Sequence, residues 1–329
     1  MKSTLKNIVR WTAGTLGLLI AGLGLTTLVR ENRSFEAPVL DLHASSDPTV
    51  IERGRYLVQG PAHCGECHGA VDQKTGHIQG AGAPLTGGFE FKLPVGTFRV
   101  PNITPDPKTG IGKMSDPEIA RMLRYGVAPD GHALLPFMPF SDLADQDLVA
   151  ILSYLRTQKP VEQQIKPHEP NLLGRIVKAF VLEPKGPSGA VPKQLEPAAT
   201  PEYGRYLANH VSNCVGCHTK VDLRTGEFAG PKFGGGAEME SLTDAEQRFI
   251  TPNLTPDPRW GWLKGWTEDA FVNRIHAGRI HPGSPMPWQA FQHMSDSDLR
   301  AIFRYLQTVP AAEGGPDPVK RDVVAVSAR

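Results

Sequence analysis

The chain reads as an all-α protein in which an N-terminal transmembrane helix precedes two tandem copies of one small domain. Three features point there. Residues 11–29 form an unbroken run of apolar residues, glycines and threonines; short motifs met in the first half return in the same order in the second; and in each half the apolar residues recur at helical spacing.

Trp11 to Val29 is long enough, at about 1.5 Å per residue, to cross a hydrocarbon core. Lys2, Lys6 and Arg10 precede it, which places that flank in the cytoplasm and the rest of the chain across the membrane. A cleaved signal peptide would carry the same basic flank. The segment leaves through Leu28-Val29-Arg30-Glu31-Asn32 with no small-x-small site close behind, and this favours an uncleaved anchor over residues 1–34.

The repeated units are expected over residues 48–160 and 198–310. Glu52-Arg53-Gly54-Arg55-Tyr56-Leu57 returns as Glu202-Tyr203-Gly204-Arg205-Tyr206-Leu207, and Asp72 with Thr75-Gly76 as Asp222 with Thr225-Gly226. Asn102-Ile103-Thr104-Pro105-Asp106-Pro107 matches Asn253-Leu254-Thr255-Pro256-Asp257-Pro258. Each unit has the size of an ordinary small domain, so this is a duplication rather than a solenoid.

Within a unit, the first helix carries Gly54 and Tyr56, or Gly204 and Tyr206, and gives way to a long loop rich in Gly and Pro. A second helix starts at the capping box Ser115-Asp116-Pro117-Glu118, with Ile119, Met122 and Leu123 on one face; its counterpart follows Thr267 with Phe271, Val272 and Ile275. The last helix follows Asp145 or Asp296, with stripes of Leu148, Ile151, Leu152, Leu155 and of Leu299, Ile302, Phe303, Leu306. Tyr154 and Tyr305 are placed where it crosses the first helix. Trp260, Trp262 and Trp266 are expected in packing around the second core.

Between the units, residues 161–197 are dense in proline and read as a semi-rigid linker. Its apolar segment from Leu172 to Leu182 is too short to span a bilayer. A short helix packed on a unit is the favoured meaning, with membrane-surface or partner docking as the other. Residues 311–329 form a polar tail.

The chemistry lies in Cys64-Gly65-Glu66-Cys67-His68 and Cys214-Val215-Gly216-Cys217-His218. Two thiols one helical turn apart can each add to a haem vinyl group, and the adjoining histidine is then held beneath the iron as its proximal ligand. Zinc cages and redox disulfides also use Cys-x-x-Cys, but neither explains why His follows both times. The motifs consume all four cysteines, and two covalently bound haem c groups are expected.

Met138 and Met286 are the candidate sixth ligands, because each sits in a Met-Pro-aromatic turn shortly before a last helix. Met122 and Met294 fit the ordinary role of filling core gaps. His132 and His281, a few residues before the two turns, are the competitors for the iron. His63, His77, His210, His276 and His293 read as surface or packing residues. Domains of this size bury a modest core, so the chain without haem should fold poorly.

On these motifs the repeat resembles the class I cytochrome c domain, as found in the cytochrome c subunits of membrane-bound bacterial dehydrogenases for alcohols and sugar acids. The resemblance implies two tandem class I cytochrome c domains and gives Met138 and Met286 as distal ligands. It also implies a periplasmic location for the haem domains, on a single-pass anchor in the bacterial inner membrane. Those subunits typically carry three haem domains, and this chain has two.

With 35 Lys and Arg against 34 Asp and Glu, the chain has no basic footprint for nucleic acid. The reading that results is an electron carrier rather than an enzyme, working between a periplasmic donor, with a dehydrogenase subunit as the candidate, and a respiratory-chain acceptor. A dihaem peroxidase is the alternative; it needs an accessible iron with an acid-base group beside it.

Overall fold

The computed structural model describes residues 2–315 apart from 73, 223–225 and 245, and no side chain at 2, 3 or 5. Thr225 of the repeat and the part of the tail beyond 315 lie outside the described residues.

Helix α1 (Lys2–Arg30) is followed by an extended segment and then α2 (Pro48–Gln59), which Asp47 caps by accepting from the Thr49 N–H, with Pro48 in the first turn. The short α3 (Gly65–His68) holds the first Cys motif, and β1 (Glu90–Leu93) and β2 (Gly96–Arg99) form a hairpin. Next come α4 (Asp116–Tyr125), α5 (Asp145–Thr157), β3 (Glu169–Pro170) and α6 (Leu172–Phe180). Ser115 and Glu118 close the capping box on α4.

The second half begins with α7 (Pro201–Tyr206), capped by Thr200, which passes directly into a π-helical turn, Leu207–Val211. Then follow α8 (Cys214–Cys217), β4 (Val221–Asp222), β5 (Glu227–Phe228), β6 (Glu238–Glu240) and β7 (Arg248–Ile250). The chain closes with α9 (Glu268–His276), α10 (Trp288–Phe291) and α11 (Asp296–Leu306).

The all-α expectation is overturned. Only 37% of the described residues are helical. β1, β2 and β3 form an antiparallel sheet, and β4–β5 and β6–β7 are antiparallel pairs. All the strands but β3 occupy the stretches read as Gly/Pro loops, and β3 lies in the stretch read as a linker. In β1–β2, Phe91 pairs with Phe98 across a turn at Pro94-Val95, and Thr97 pairs with Glu169 of β3. Apolar residues at alternate positions carry the two-residue period of a strand, which the surrounding glycines and prolines mask.

The helices cross as the repeat requires. Gly54 lets α2 pass so close to α5 that a Cβ there would collide with the Ala150 carbonyl, and Gly204 does the same for α7 against the Ala301 carbonyl of α11. Leu57, Leu148 and Leu152, and likewise Leu207, Leu299 and Leu306, are almost fully buried around these crossings. Each such side chain contributes about 1.5–3 kcal/mol by leaving water. The buried residues of both halves belong to one continuous cluster.

The halves meet through a reciprocal pattern. The Tyr56 hydroxyl accepts from the Ser295 N–H (3.0 Å) and donates to Asp298 (2.6 Å); the Tyr206 hydroxyl accepts from the Ala144 N–H (3.1 Å) and donates to Asp147 (2.8 Å). These are equivalent positions of the two repeats exchanging equivalent bonds, the signature of a two-fold interface. Arg53 and Tyr203, the one mismatch between the opening hexads, meet each other at 2.9 Å, and Arg53 also forks onto Asp147 at 3.0 and 3.1 Å.

Candidate haem sites

Each Cys motif is launched by a residue in the left-handed region, His63 (φ 41°) before Cys64 and Asn213 (φ 48°) before Cys214. Both are residue types that tolerate this conformation better than most. It turns the chain out of the first helix and into the one-turn helix, which puts both thiols of the motif and the histidine on one helical turn and its caps.

His68 and His218 are anchored identically. The Nδ1 of His68 lies 2.9 Å from the Pro101 carbonyl oxygen and that of His218 lies 3.0 Å from the Pro252 oxygen. A carbonyl only accepts, so Nδ1 carries the proton and Nε2 keeps its lone pair for a metal. Burial, partly opposed by these hydrogen bonds, holds both imidazoles below their ordinary pKa, which favours the neutral ring that ligation needs.

The accepting loops are themselves fixed. Asn102 Oδ1 accepts from the Thr104 N–H and hydroxyl at 2.9 and 2.8 Å, and Asn253 Oδ1 from the Thr255 N–H and hydroxyl at 2.9 and 2.7 Å. The Asn side-chain amides donate onward to the Val161 and Ala312 carbonyls, just beyond the last helix of each repeat. Asp106 and Asp257 close the following turn by accepting from the N–H groups of residues 108 and 109, and of 259 and 260. The carbonyls of His68 and His218 accept from Gly87 and Gly235, which stand at φ 67° and 69°. The repeated Asn-x-Thr-Pro-Asp-Pro segment is therefore the clamp on the proximal histidine.

The cysteines are not poised as redox thiolates. Burial pushes Cys64 up to about 12 and Cys67 up to about 11; it pushes Cys214 up to about 12 and raises Cys217 as well. A redox dithiol depends on a lowered pKa, so this environment argues against that use. Among the described residues no group of three or more His, Cys, Asp and Glu side chains could hold a metal ion, so a tetrahedral zinc cage lacks its ligands.

Met138 and Met286 are partly buried against the core, whereas Met294 is fully buried behind α11 and Met122 is half-buried on α4. The turn of Met286 is held by the Trp288 N–H, which donates to the Met286 carbonyl, and by the Trp288 indole N–H on Ser284. His132 turns to Asp130 at 2.5 Å and lines a small cavity with Arg33 and Phe35, and His281 is exposed. His63 packs edge-on against Phe291, and His276 bonds Asp296. His210 lies 3.7 Å from Asp142, while His77 and His293 are exposed. Trp262 and Trp266 pack on the core, and Arg259 stacks over Trp260.

The sequence reading missed Pro101 and Pro252, whose contribution is a backbone carbonyl. A proline directly before the Asn in both copies was the available signal.

A dihaem c-type cytochrome of Cereibacter sphaeroides is 30% identical to this chain over 315 residues, which cover 92% of the chain and 98% of the relative. The chain belongs to the dihaem c-type cytochromes. The cytochrome c subunit of a quinone alcohol dehydrogenase from Gluconobacter oxydans is 31% identical over 291 residues, and the cytochrome c subunit of a gluconate 2-dehydrogenase from Pantoea cypripedii is 29% identical over 313. The chain spans 57% of the length of the Gluconobacter protein and 67% of the Pantoea protein. No family model matches the chain. The cofactors of this electron-transfer cytochrome are two haem c groups. The residues fit them: each Cys pair stands beside a histidine whose Nε2 is free, on the edge of an apolar core.

Proposed function

We propose that this cytochrome is anchored in the bacterial inner membrane by α1. It holds two haems on the periplasmic side, over residues 48–160 and 198–310, and passes electrons from a periplasmic donor to a respiratory-chain acceptor. Each haem, when bound, supplies a one-electron iron couple. Cys64 and Cys67, and Cys214 and Cys217, form the thioether links. His68 and His218 ligate through Nε2 while Nδ1–H stays on its proline carbonyl, an outer hydrogen bond that fixes ring orientation and raises ligand basicity. Met138 and Met286 close the distal positions. The dehydrogenase subunits among the relatives make the large subunit of such an enzyme the proposed donor.

The observation that carries this reading is the equivalence of the two sites: the same proximal anchor and the same clamp, with a Met-Pro-aromatic sequence following each. An enzyme with one reactive haem needs two unlike sites. The anchor is supported by an apolar helix long enough to cross a membrane and by the stitching of its end to the folded chain, Glu31 to Arg175 at 2.6 and 2.7 Å and Arg33 to the Leu182 carbonyl at 2.6 Å. The deciding experiment is a potentiometric titration followed by absorption and magnetic circular dichroism. Two low-spin His/Met haems at positive potential are expected; a high-spin or bis-His haem overturns the carrier reading in favour of reaction with a small molecule.

A further inference from the structure

Helix α6 has no counterpart in the repeat, and its surroundings give it a use. Asn171 caps it by accepting from the Gly174 N–H at 3.0 Å and ties it to the β1–β2 turn by donating to the Pro94 carbonyl at 2.8 Å. Gly174 lies so close to the Val95 carbonyl that a Cβ would collide with it. One side of α6 is thus fixed to the first repeat. Another side is fixed to the last turn of α1. Arg30 Nε donates to the Ala179 carbonyl at 3.3 Å and its guanidinium lies 5.4 Å from the centre of the Phe180 ring, while Arg175 forks onto Glu31. Among the described side chains of α1, Thr27 alone is buried.

What remains is an exposed apolar face, covered among the described residues only at its Phe180 end, where Arg30 lies against the ring. Leu172 is 73% exposed, Leu173 52% and Phe180 38%, and Ile176 falls between them at helical spacing. Val181, just beyond the helix, is 65% exposed. Lys178 occupies the opposite side and Arg175, paired with Glu31, flanks the stripe, so the helix is amphipathic with basic residues off its apolar face. Stripes of this kind on a soluble surface mark a binding site.

The position of α1 names the occupant. Its apolar run ends at Val29, so the boundary between hydrocarbon and headgroups passes at Val29–Arg30, the level to which α6 is bonded. We propose that α6 lies in the headgroup region of the membrane that α1 crosses, with Leu172, Leu173, Ile176 and Phe180 turned into lipid. Arg30, beside the stripe, and Lys178, behind it, stand where lipid phosphates would meet them, whereas Arg33 is taken up by Glu183 and the Leu182 carbonyl. An interfacial helix of this type sinks its apolar face about 5–10 Å into the headgroup and acyl boundary. A single transmembrane helix leaves the body above it free to swivel. A second contact, rigidly joined to the β1–β2 hairpin, holds the first haem site at one height and one orientation over the bilayer.

The proposal rests on the anchor reading, and the test separates the two. Full-length holoprotein is reconstituted in phospholipid vesicles with a nitroxide at one of three positions, Leu173→Cys, Leu19→Cys or Gly189→Cys, the last an exposed linker site with nothing near it. Accessibility to oxygen, which concentrates in lipid, is compared with accessibility to a water-soluble nickel chelate. The expected result is that Leu173 follows Leu19, reached by oxygen and several-fold less by nickel than Gly189. Nickel access at Leu173 equal to that at Gly189, with Leu19 still in lipid, overturns the proposal and leaves the anchor standing. Protection of Leu173 from both probes overturns it in favour of a protein partner. Nickel access at Leu19 removes the anchor and this proposal with it.

Discussion

Pro101 and Pro252 hold the proximal rings through backbone atoms alone, and the asymmetry between what side chains and main chain contribute runs through both sites. Cysteine, histidine and methionine announce themselves by residue type and spacing, so the candidate ligands were legible before any coordinates. The carbonyls that fix the histidine tautomer were not, because a main-chain oxygen has no letter of its own. Only the clamp that aims them, Asn102 with Thr104 and Asn253 with Thr255, leaves a trace as a repeated motif. Met138 and Met286 give the prediction at this scale. Replacing either with Ala leaves the proximal side of its site untouched and removes the distal sulfur. The weak sulfur-to-iron absorption in the near-infrared should fall by half in each single variant and vanish in the double variant. Retention of the full band in Met138→Ala or Met286→Ala takes that residue out of the ligand set.

At the scale of elements, the helix crossings were written in the sequence and the strands were hidden in it. Gly54 and Gly204 stand at the same place in matching hexads, and both are required by close approach rather than by turn geometry, since the Ala150 and Ala301 carbonyls fill the space a side chain would take. Gly54→Ala and Gly204→Ala should each destabilise the protein by about 3 kcal/mol, the upper end for overpacking a tight core. Gly189→Ala, with open space around it, should be neutral in the same thermal melts. The hairpin of β1 and β2 shows the opposite case. Phe91 and Phe98 supply the strand signal over four residues each, while Gly87, Gly88, Pro94 and Gly96 supply the loop signal around them. Over so short a span punctuation outweighs periodicity, although the β1–β2 pairing and the added edge from Glu169 settle the local structure.

Across the whole molecule, the two-fold joint couples the repeats, and its charges do not balance. Asp147 has Arg53, whereas Asp298 receives a hydroxyl from Tyr56 and, among the described residues, no ion pair within 4 Å. Burial, partly offset by Tyr56, Arg53 and Ser295, raises the Asp298 pKa above its ordinary 3.8. Folding therefore favours its protonated form. That contribution is complete below the ordinary value and is lost as pH climbs through the raised one. Asp298→Asn keeps an acceptor for Tyr56 without the charge, so subtracting its melting temperature from that of the wild type should give a difference that falls with rising pH over this window. A flat difference would mean the carboxyl ionises freely in the fold. The same joint predicts how the molecule comes apart. Since one continuous cluster spans both halves and the Tyr–Asp bonds run each way, the holoprotein should melt in a single cooperative transition, with equal calorimetric and van't Hoff enthalpies. Arg53→Ala strips Asp147 of its cation and Tyr203 of its partner at the centre of the joint, at a cost of about 3 kcal/mol, the low end for breaking a buried pair. If the joint is what makes the two repeats one cooperative unit, the variant should melt in two steps, with the near-infrared bands of the two haems lost at different temperatures. A single transition merely shifted downward would place the coupling in the shared apolar cluster instead.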